Sequence, residues 1–363
     1  MAIILGDDIQ LDKRTIKSAI KDVTKSATAV HLIYVSDQRS GYKRIRNGKI
    51  FYYIDGEKKV NEADLLDRFK KLVIPPAWDD VWICKLPNGH LQATGVDVKK
   101  RKQYRYHPLW GMVRNHTKFY RLLDFGKQLP SIRLKLEKDL SLPGYPQEKV
   151  LAAIVSLLER TNIRIGNAFY EKLYGSFGLT TLKNKHVAVN GSQLQFIFKG
   201  KKGVKHNISL KSKKLAKIVK GCQDIPGKEL FEFYDGQGKV HDIDSGMVND
   251  YIRTISGGDF TAKDFRTWAG TVHALIAFKE LGAYETVHDM KQKIPAALDM
   301  VAKQLGNTRT VCKKYYVHPI IVQLYEGKKL DKYINELNLI EENDNKTGIT
   351  SEEKILMKIL ETN

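Results

Sequence analysis

The 363-residue sequence predicts an α+β protein: a small, mainly β N-terminal domain followed by a larger, mainly α domain carrying a β-hairpin insertion. Three observations predict it. Short β-like runs between turn signals fill the stretch from about Ile33 to Tyr106, long segments of helical period follow "YHPLW", and one alternating, turn-bounded block interrupts them at 186–210. The length exceeds one typical domain of roughly 100 to 200 residues, and 42% apolar residues suffice for a core.

Taken in order, residues 1–29 read as a polar, partly helical extension, and 30–106 as the β domain. Asp-Gly in "KIFYYIDGEKKV" (49–60) and Pro-Asn-Gly in "DVWICKLPNGHLQATGVD" (80–97) are hairpin punctuation. The α domain spans 107–330 and opens with a helical stretch at 113–140. The next segment, "QEKVLAAIVSLLERTNIRIGNAFYEKLYG" (147–175), places Val150, Leu151, Ile154, Leu157 and Leu158 on one face. The insertion "HVAVNGSQLQFIFKGKKGVKHNISL" turns at Asn-Gly and again at "GKKG", whose tip holds Lys201 and Lys202. Helices are predicted at 211–221, 246–255, 262–281, 291–305 and about 308–316, with Thr261 and Asp264 as a capping box for the third. Residues 331–363 read as an acidic tail, a short helix with a mobile end.

Charge narrows the function. Lys and Arg number 61 against 41 Asp and Glu, a formal +20. The tail carries eight acids against four lysines, so the first 330 residues hold +24. Basic clusters recur at "DVKKRKQYRYH" (97–107), "KGKKGVKH" (199–206) and "KSKKLAK" (211–217). One such cluster alone is a solvated lysine face, but several in so basic a chain point to a polyanion. Cys84, Cys222 and Cys312 are far apart and lack C-x-x-C spacing, so reduced thiols are expected rather than a disulfide framework or a zinc site. The N-terminus lacks the basic lead and long apolar stretch of a signal peptide, and no window reaches the ~20 apolar residues of a membrane span.

Breaking a nucleic-acid backbone requires a nucleophile, a proton for the leaving alkoxide, and cations around the non-bridging oxygens. No dense acidic cluster of the kind that holds a metal accompanies the candidate residues in the basic half, so arginines must serve. Arg164, in "TNIRIGN", follows a strongly apolar helix; an ion pair with Glu159 or Glu171 is its structural alternative. Arg266, in "TAKDFRTWAGT", has Asp264 nearby for the same purpose. Lys201, on the hairpin tip, suits proton delivery. Tyr315 or Tyr316 offers a phenol of pKa about 10.

The order of these segments carries more than any one of them. "RKQYRYH" (101–107), "IRIGN" (163–167), "GLTTLKNKHV" (178–187), "KGKKGVKH", "KDFRTWAGT" (263–271) and "LGNTRTVCKKYYVHP" (305–319) together resemble the poxvirus-like type IB DNA topoisomerases, especially their bacterial members, over about residues 33–325. The resemblance implies a two-domain clamp around duplex DNA, with a catalytic domain of the tyrosine recombinase/type IB topoisomerase type. It implies that Arg164, Lys201, Arg266 and Tyr316 are catalytic, and that Asn307 stands where many members have histidine in "GHT". The nucleophile lies nine residues beyond that position, at Tyr316, leaving Tyr315 for packing. Gln103 and Tyr104 are expected to reach bases, Arg101 and Tyr106 to bind the backbone or support the site, and Lys263 to bind DNA.

The implied reaction is relaxation of supercoils through a 3′-phosphotyrosyl link, strand rotation and religation, without ATP or metal. A monomer acting on duplex DNA in the cytoplasm, at the nucleoid and off the membrane, is expected. Tyrosine recombinases share the chemistry but carry H-x-x-R where this chain has "KDFR". A DNA-architectural protein would explain the charge but not the ordered Arg, Lys, Arg, Tyr set.

Overall fold

The structure is a computed structural model and describes residues 3–4, 10–11, 23–48, 50–98, 102–340 and 348–363. Most of the N-terminal extension, and Arg101, lie outside the described residues. The chain divides into two compact units, Met1–Arg121 and Leu122–Asn363.

The first unit begins with a short antiparallel pair, β1 (Ile3–Ile4) and β2 (Gln10–Leu11), and helix α1 (Val23–Thr28). Six strands follow: β3 (Gly41–Asn47), β4 (Ile50–Asp55), β5 (Lys58–Lys59), β6 (Asp79–Cys84), β7 (Leu91–Val96) and β8 (Lys102–Tyr106). They form one antiparallel sheet in the order β5-β4-β3-β6-β7-β8, so β8 is an edge. Helix α2 (Ala63–Lys71) lies on it, burying Phe69 between the rings of Tyr42 and Tyr53 at 5.0 and 4.7 Å. The Asp-Gly turn joins β4 to β5, as its left-handed Gly56 (φ 58°) requires. The β-rich first unit and helical second unit are the two parts the sequence predicts.

Helix α3 (Pro108–Asp139) runs across the division, and α4 (Gln147–Thr161) is the centre of the second unit. The apolar positions of α4 do more than line one face. From Val150 to Leu158 every residue is buried, Ala152, Ala153 and Val155 included, because a helix apolar all round packs on all sides. After α5 (Ala168–Tyr174), strands β9 (Val187–Asn190), β10 (Gln193–Lys199) and β11 (Lys205–Lys211) form a three-stranded antiparallel insertion. Helix α6 (Lys213–Gln223), the hairpin β12 (Glu232–Tyr234) and β13 (Val240–Asp242), and helices α7 (Ser245–Ser256), α8 (Ala262–Leu281), α9 (Val287–Leu305), α10 (Arg309–Tyr315) and α11 (Pro319–Glu326) complete the core.

The acidic C-terminal stretch folds back instead of trailing. Helices α12 (Asp331–Leu339) and α13 (Ser351–Thr362) bury Tyr333, Leu337, Ile355, Leu356 and Ile359. Glu353, 5% exposed, fastens α13. It accepts from Arg133 Nη1 and Nη2 at 2.9 and 2.8 Å and from Trp268 Nε1 on α8 at 2.9 Å. Burial alone would raise this carboxyl, but Arg133, the Thr350 amide and Trp268 hold it below the usual range. Glu353→Ala leaves Arg133 largely buried without this partner and should cost about 3 kcal/mol in urea unfolding. A depressed carboxylate stabilises above its unfolded pKa of about 4.3. The contribution is therefore complete at neutral pH and lost as pH falls through the lower folded value.

Candidate active site

One helix end positions both arginines. Asn162 closes α4 in the left-handed conformation (φ 56°), which asparagine tolerates. Its carbonyl accepts from Arg266 Nη1, and the chain leaving the same turn carries Arg164 two residues later.

Arg266 lies in α8 and is 4% exposed. Its Nη2 donates to the carbonyl of Leu305, the last residue of α9, at 2.9 Å. Carbonyls at two helix C-termini thus offset part of the cost of a buried cation. Asp264, the alternative partner, is committed elsewhere: it accepts from Thr261 N and Oγ1 at 2.8 and 2.9 Å, closing the capping box. Burial lowers the Arg266 pKa, against the opposing pull of Tyr316 and Cys312.

Arg164 donates from Nη2 to the Gly306 carbonyl at 3.2 Å and to Asn307 Oδ1. Its alternative partners are also taken, Glu159 by Arg133 at 2.8 Å and Glu171 by Lys183 at 2.7 Å. Burial, then the charge of Arg266, brings the Arg164 guanidinium down to about 10, so it stays cationic at neutral pH. Among the described residues neither arginine has a carboxylate partner, and the Arg266 Nε and Asn307 Nδ2 atoms are buried without a hydrogen bond. Two cations so placed favour an anion.

Tyr316 stands at the end of the helix expected at about 308–316, capping α10 with φ −130° and ψ −17°. Thr271 on α8 holds this bend: its Oγ1 accepts from His318 N at 3.1 Å, and its one proton is shared between the Thr267 carbonyl at 2.8 Å and the Tyr316 carbonyl at 3.3 Å. Gly270 makes room: a Cβ there would lie 2.6 Å from the Tyr316 carbonyl oxygen. The phenol ring consequently stands over Arg266, whose guanidinium carbon is 5.1 Å from the ring centre.

A cleft of about 900 Å³ collects Arg164, Lys201, Lys263, Arg266 and Tyr316 along its walls, with Phe177 and Asn249. Lys201 reaches it from an exposed turn, Lys201–Gly203, between β10 and β11; Gly200 N donates to Val204 O at 2.7 Å across that turn. Asn307 sits behind Arg164 rather than on the wall. Tyr315 is not among the lining residues; its ring lies 5.5 Å from Lys314 Nζ. Among the described residues no three His, Cys, Asp or Glu side chains gather to hold a metal, and no helix is long and apolar enough to cross a membrane.

On the edge strand β8, alternation separates the predicted DNA contacts. Tyr104 and Tyr106, 46% and 47% exposed, stack at 5.9 Å on the face that also bears Lys102. Gln103 points the other way, and its Nε2 donates to Asp97 at 3.0 Å. The sequence pattern does not reveal the Asn162 carbonyl or the Gly270–Thr271 pair. The small residues in "WAGT" are their one visible signal.

Comparison with known proteins identifies the family. Residues 99–342 match the family described as eukaryotic DNA topoisomerase I, catalytic core, and residues 50–97 the bacterial DNA topoisomerase IB, N-terminal domain. The chain is 32% identical over 285 residues to DNA topoisomerase 1B of Acanthamoeba polyphaga mimivirus, covering 77% of this chain and 84% of the viral one. With DNA topoisomerase 1B of vaccinia virus (strain Copenhagen) it shares 25% over 239 residues, 64% of this chain and 72% of that one. The catalytic-core match alone spans well over half of the sequence, and the chain belongs to the type IB DNA topoisomerases.

Proposed function

We propose that this chain relaxes supercoiled duplex DNA with Tyr316 as nucleophile, Lys201 as general acid, and Arg164 and Arg266 as the phosphate clamp. The observation that carries the assignment is the Tyr316 ring standing over Arg266 in a cleft that Arg164 and Lys201 also line. The Tyr316 phenolic oxygen attacks phosphorus and gives its proton to solvent. The bond to the 5′-oxygen breaks, and that oxygen takes a proton from Lys201, which spares the expulsion of an alkoxide. A 3′-phosphotyrosyl bond remains and stores the energy of the broken one. Rotation of the free end releases supercoils; the 5′-hydroxyl then displaces the phenolate and returns its proton to Lys201.

The guanidinium groups neutralise the non-bridging oxygens of the five-coordinate state, where planar, multiply donating cations outperform lysine. Asn307, behind Arg164, holds that guanidinium through its Oδ1, and its buried Nδ2 must turn toward the cleft to give the phosphate a neutral hydrogen bond. In the N-terminal unit, Tyr104 and Tyr106 present aromatic faces to DNA beside Lys102, and Lys263 adds a phosphate contact in the cleft. Gln103 must exchange Asp97 for a base to take part. Arg101 is assigned to the backbone by its place in the motif. The two units close around the duplex as a clamp, and one copy of the chain in the cytoplasm, at the nucleoid, suffices.

The protein should relax negatively supercoiled plasmid in EDTA without ATP, and a requirement for Mg²⁺ would overturn the arginine clamp. Its affinity for a duplex should fall steeply with salt; neutralising 6–10 phosphates corresponds to a loss of about 10³–10⁵ between about 50 and 200 mM. A flat salt response would contradict binding by the +24 region.

A further inference from the structure

His206 belongs to none of the roles assigned above, yet it touches two of the segments that carry them. It lies near the start of β11, opposite Phe198 on β10, and its ring stacks on that phenyl at 4.9 Å and 18°. The other edge of the imidazole fills the space beside two glycines far apart in sequence. A Cβ on Gly200 would lie 2.6 Å from His206 Nε2, and one on Gly306 would lie 2.4 Å from Cε1. Gly200 immediately precedes Lys201. Gly306 immediately precedes Asn307 and gives its carbonyl to Arg164 at 3.2 Å.

The two glycines have different reasons to be there. Gly306 has a left-handed backbone (φ 58°), which favours glycine whatever its neighbours. Gly200 has φ −91° and ψ −165°, open to any residue, and the Val204 carbonyl stands off at an ordinary 3.6 Å. Among the described residues, the ring of His206 is what a side chain at 200 would strike. The absent side chain at 200 and the ring at 206 form one fitted pair.

We propose that His206 is a positioning residue: its ring is the spacer that sets the Lys201 turn against the Gly306–Asn307 turn, and so holds the general acid at a fixed reach from the phosphate bound by Arg164. The inference rests on Lys201 being the general acid. How far Lys201 reaches depends on where its turn is anchored, and a misplacement near 1 Å can cost about 10²-fold in rate. A stacked, two-torsion ring fixes that anchor. Burial, then Arg164 and Arg266, pushes the imidazole below its ordinary pKa, so the spacer is neutral beside the two guanidinium groups.

The test is single-turnover cleavage of paired duplexes in which the scissile 5′-oxygen is either native or replaced by sulfur. A thiol ionises near a pKa of about 8.5, so a sulfur leaving group departs without a proton donor. His206→Ala and Gly200→Ala should each slow the oxygen substrate on the order of 10²-fold, yet cleave the sulfur substrate within a few-fold of wild type, with unchanged duplex affinity and melting temperature. The double variant should be no slower than His206→Ala, because removing the ring removes the clash at 200. Lys201→Ala is the control: if it is equally slow on both substrates, the general-acid assignment fails whatever His206 does. If Lys201→Ala recovers on sulfur while His206→Ala stays slow there, or if His206→Ala is never slow on oxygen, the positioning role is overturned. Multiplying defects in the double variant would overturn the fitted pair.

Discussion

Tyr316→Phe should abolish plasmid relaxation and leave no protein–DNA adduct after SDS, while Tyr315→Phe keeps most of the activity. The change removes one oxygen and leaves the ring that covers Arg266. Folding should survive, and a melting curve superimposable on wild type checks that. Loss of a nucleophile that no neighbour can replace costs on the order of 10⁶-fold. Tyr315 is adjacent in sequence but is not part of the cleft wall, because the chain leaves helical geometry at 316 and turns the next side chain inward. An active Tyr316→Phe paired with a dead Tyr315→Phe would move the nucleophile by one residue and undo the proposed site.

Arg266→Ala combines a catalytic and a structural loss. Deleting one preorganised donor to a developing anionic charge costs about 10²–10³ in rate, and here the same guanidinium also joins the ends of α4 and α9 through the Asn162 and Leu305 carbonyls. Cleavage in single turnover should therefore fall at least that far, and the melting temperature should drop with it. Arg266→Lys separates the two effects. It keeps the charge, but one ammonium on a flexible stem cannot reproduce the planar fork that serves both carbonyls and phosphate. Its rate should lie between those of alanine and wild type. Near-normal cleavage by Arg266→Ala would remove this residue from the clamp.

Features that depend on neighbours a few residues away are legible in the amino-acid sequence itself. Turn pairs such as Asp55-Gly56 impose local backbone geometry, and the apolar run of α4 announces a buried helix. The helix at 262–281 and its Thr261–Asp264 cap follow for the same reason. Two further local signals point correctly but are easily outweighed. Alternation in "KQYRY" sets Gln103 and Tyr104 on opposite faces, although the motif as a whole suggests that both reach bases. Ile355, Leu356 and Ile359 have helical spacing, but the acidic composition around them suggests a tail.

The candidate site divides along the same line. Residue order alone placed Arg164, Lys201, Arg266 and Tyr316 in one family pattern, and the excess of positive charge alone called for a polyanion. Whether Glu159 would neutralise Arg164, or Asp264 would neutralise Arg266, was decided only by the fold. Arg133 comes from α3 to take the first, Thr261 takes the second, and the two guanidinium groups are left facing a cleft. The bend that turns Tyr316 inward depends on Gly270 and Thr271, and the packing of His206 against Gly200 and Gly306 spans a hundred residues of sequence. Such outcomes follow from competition among partners brought together by packing, and no spacing along a chain encodes which partner is within reach.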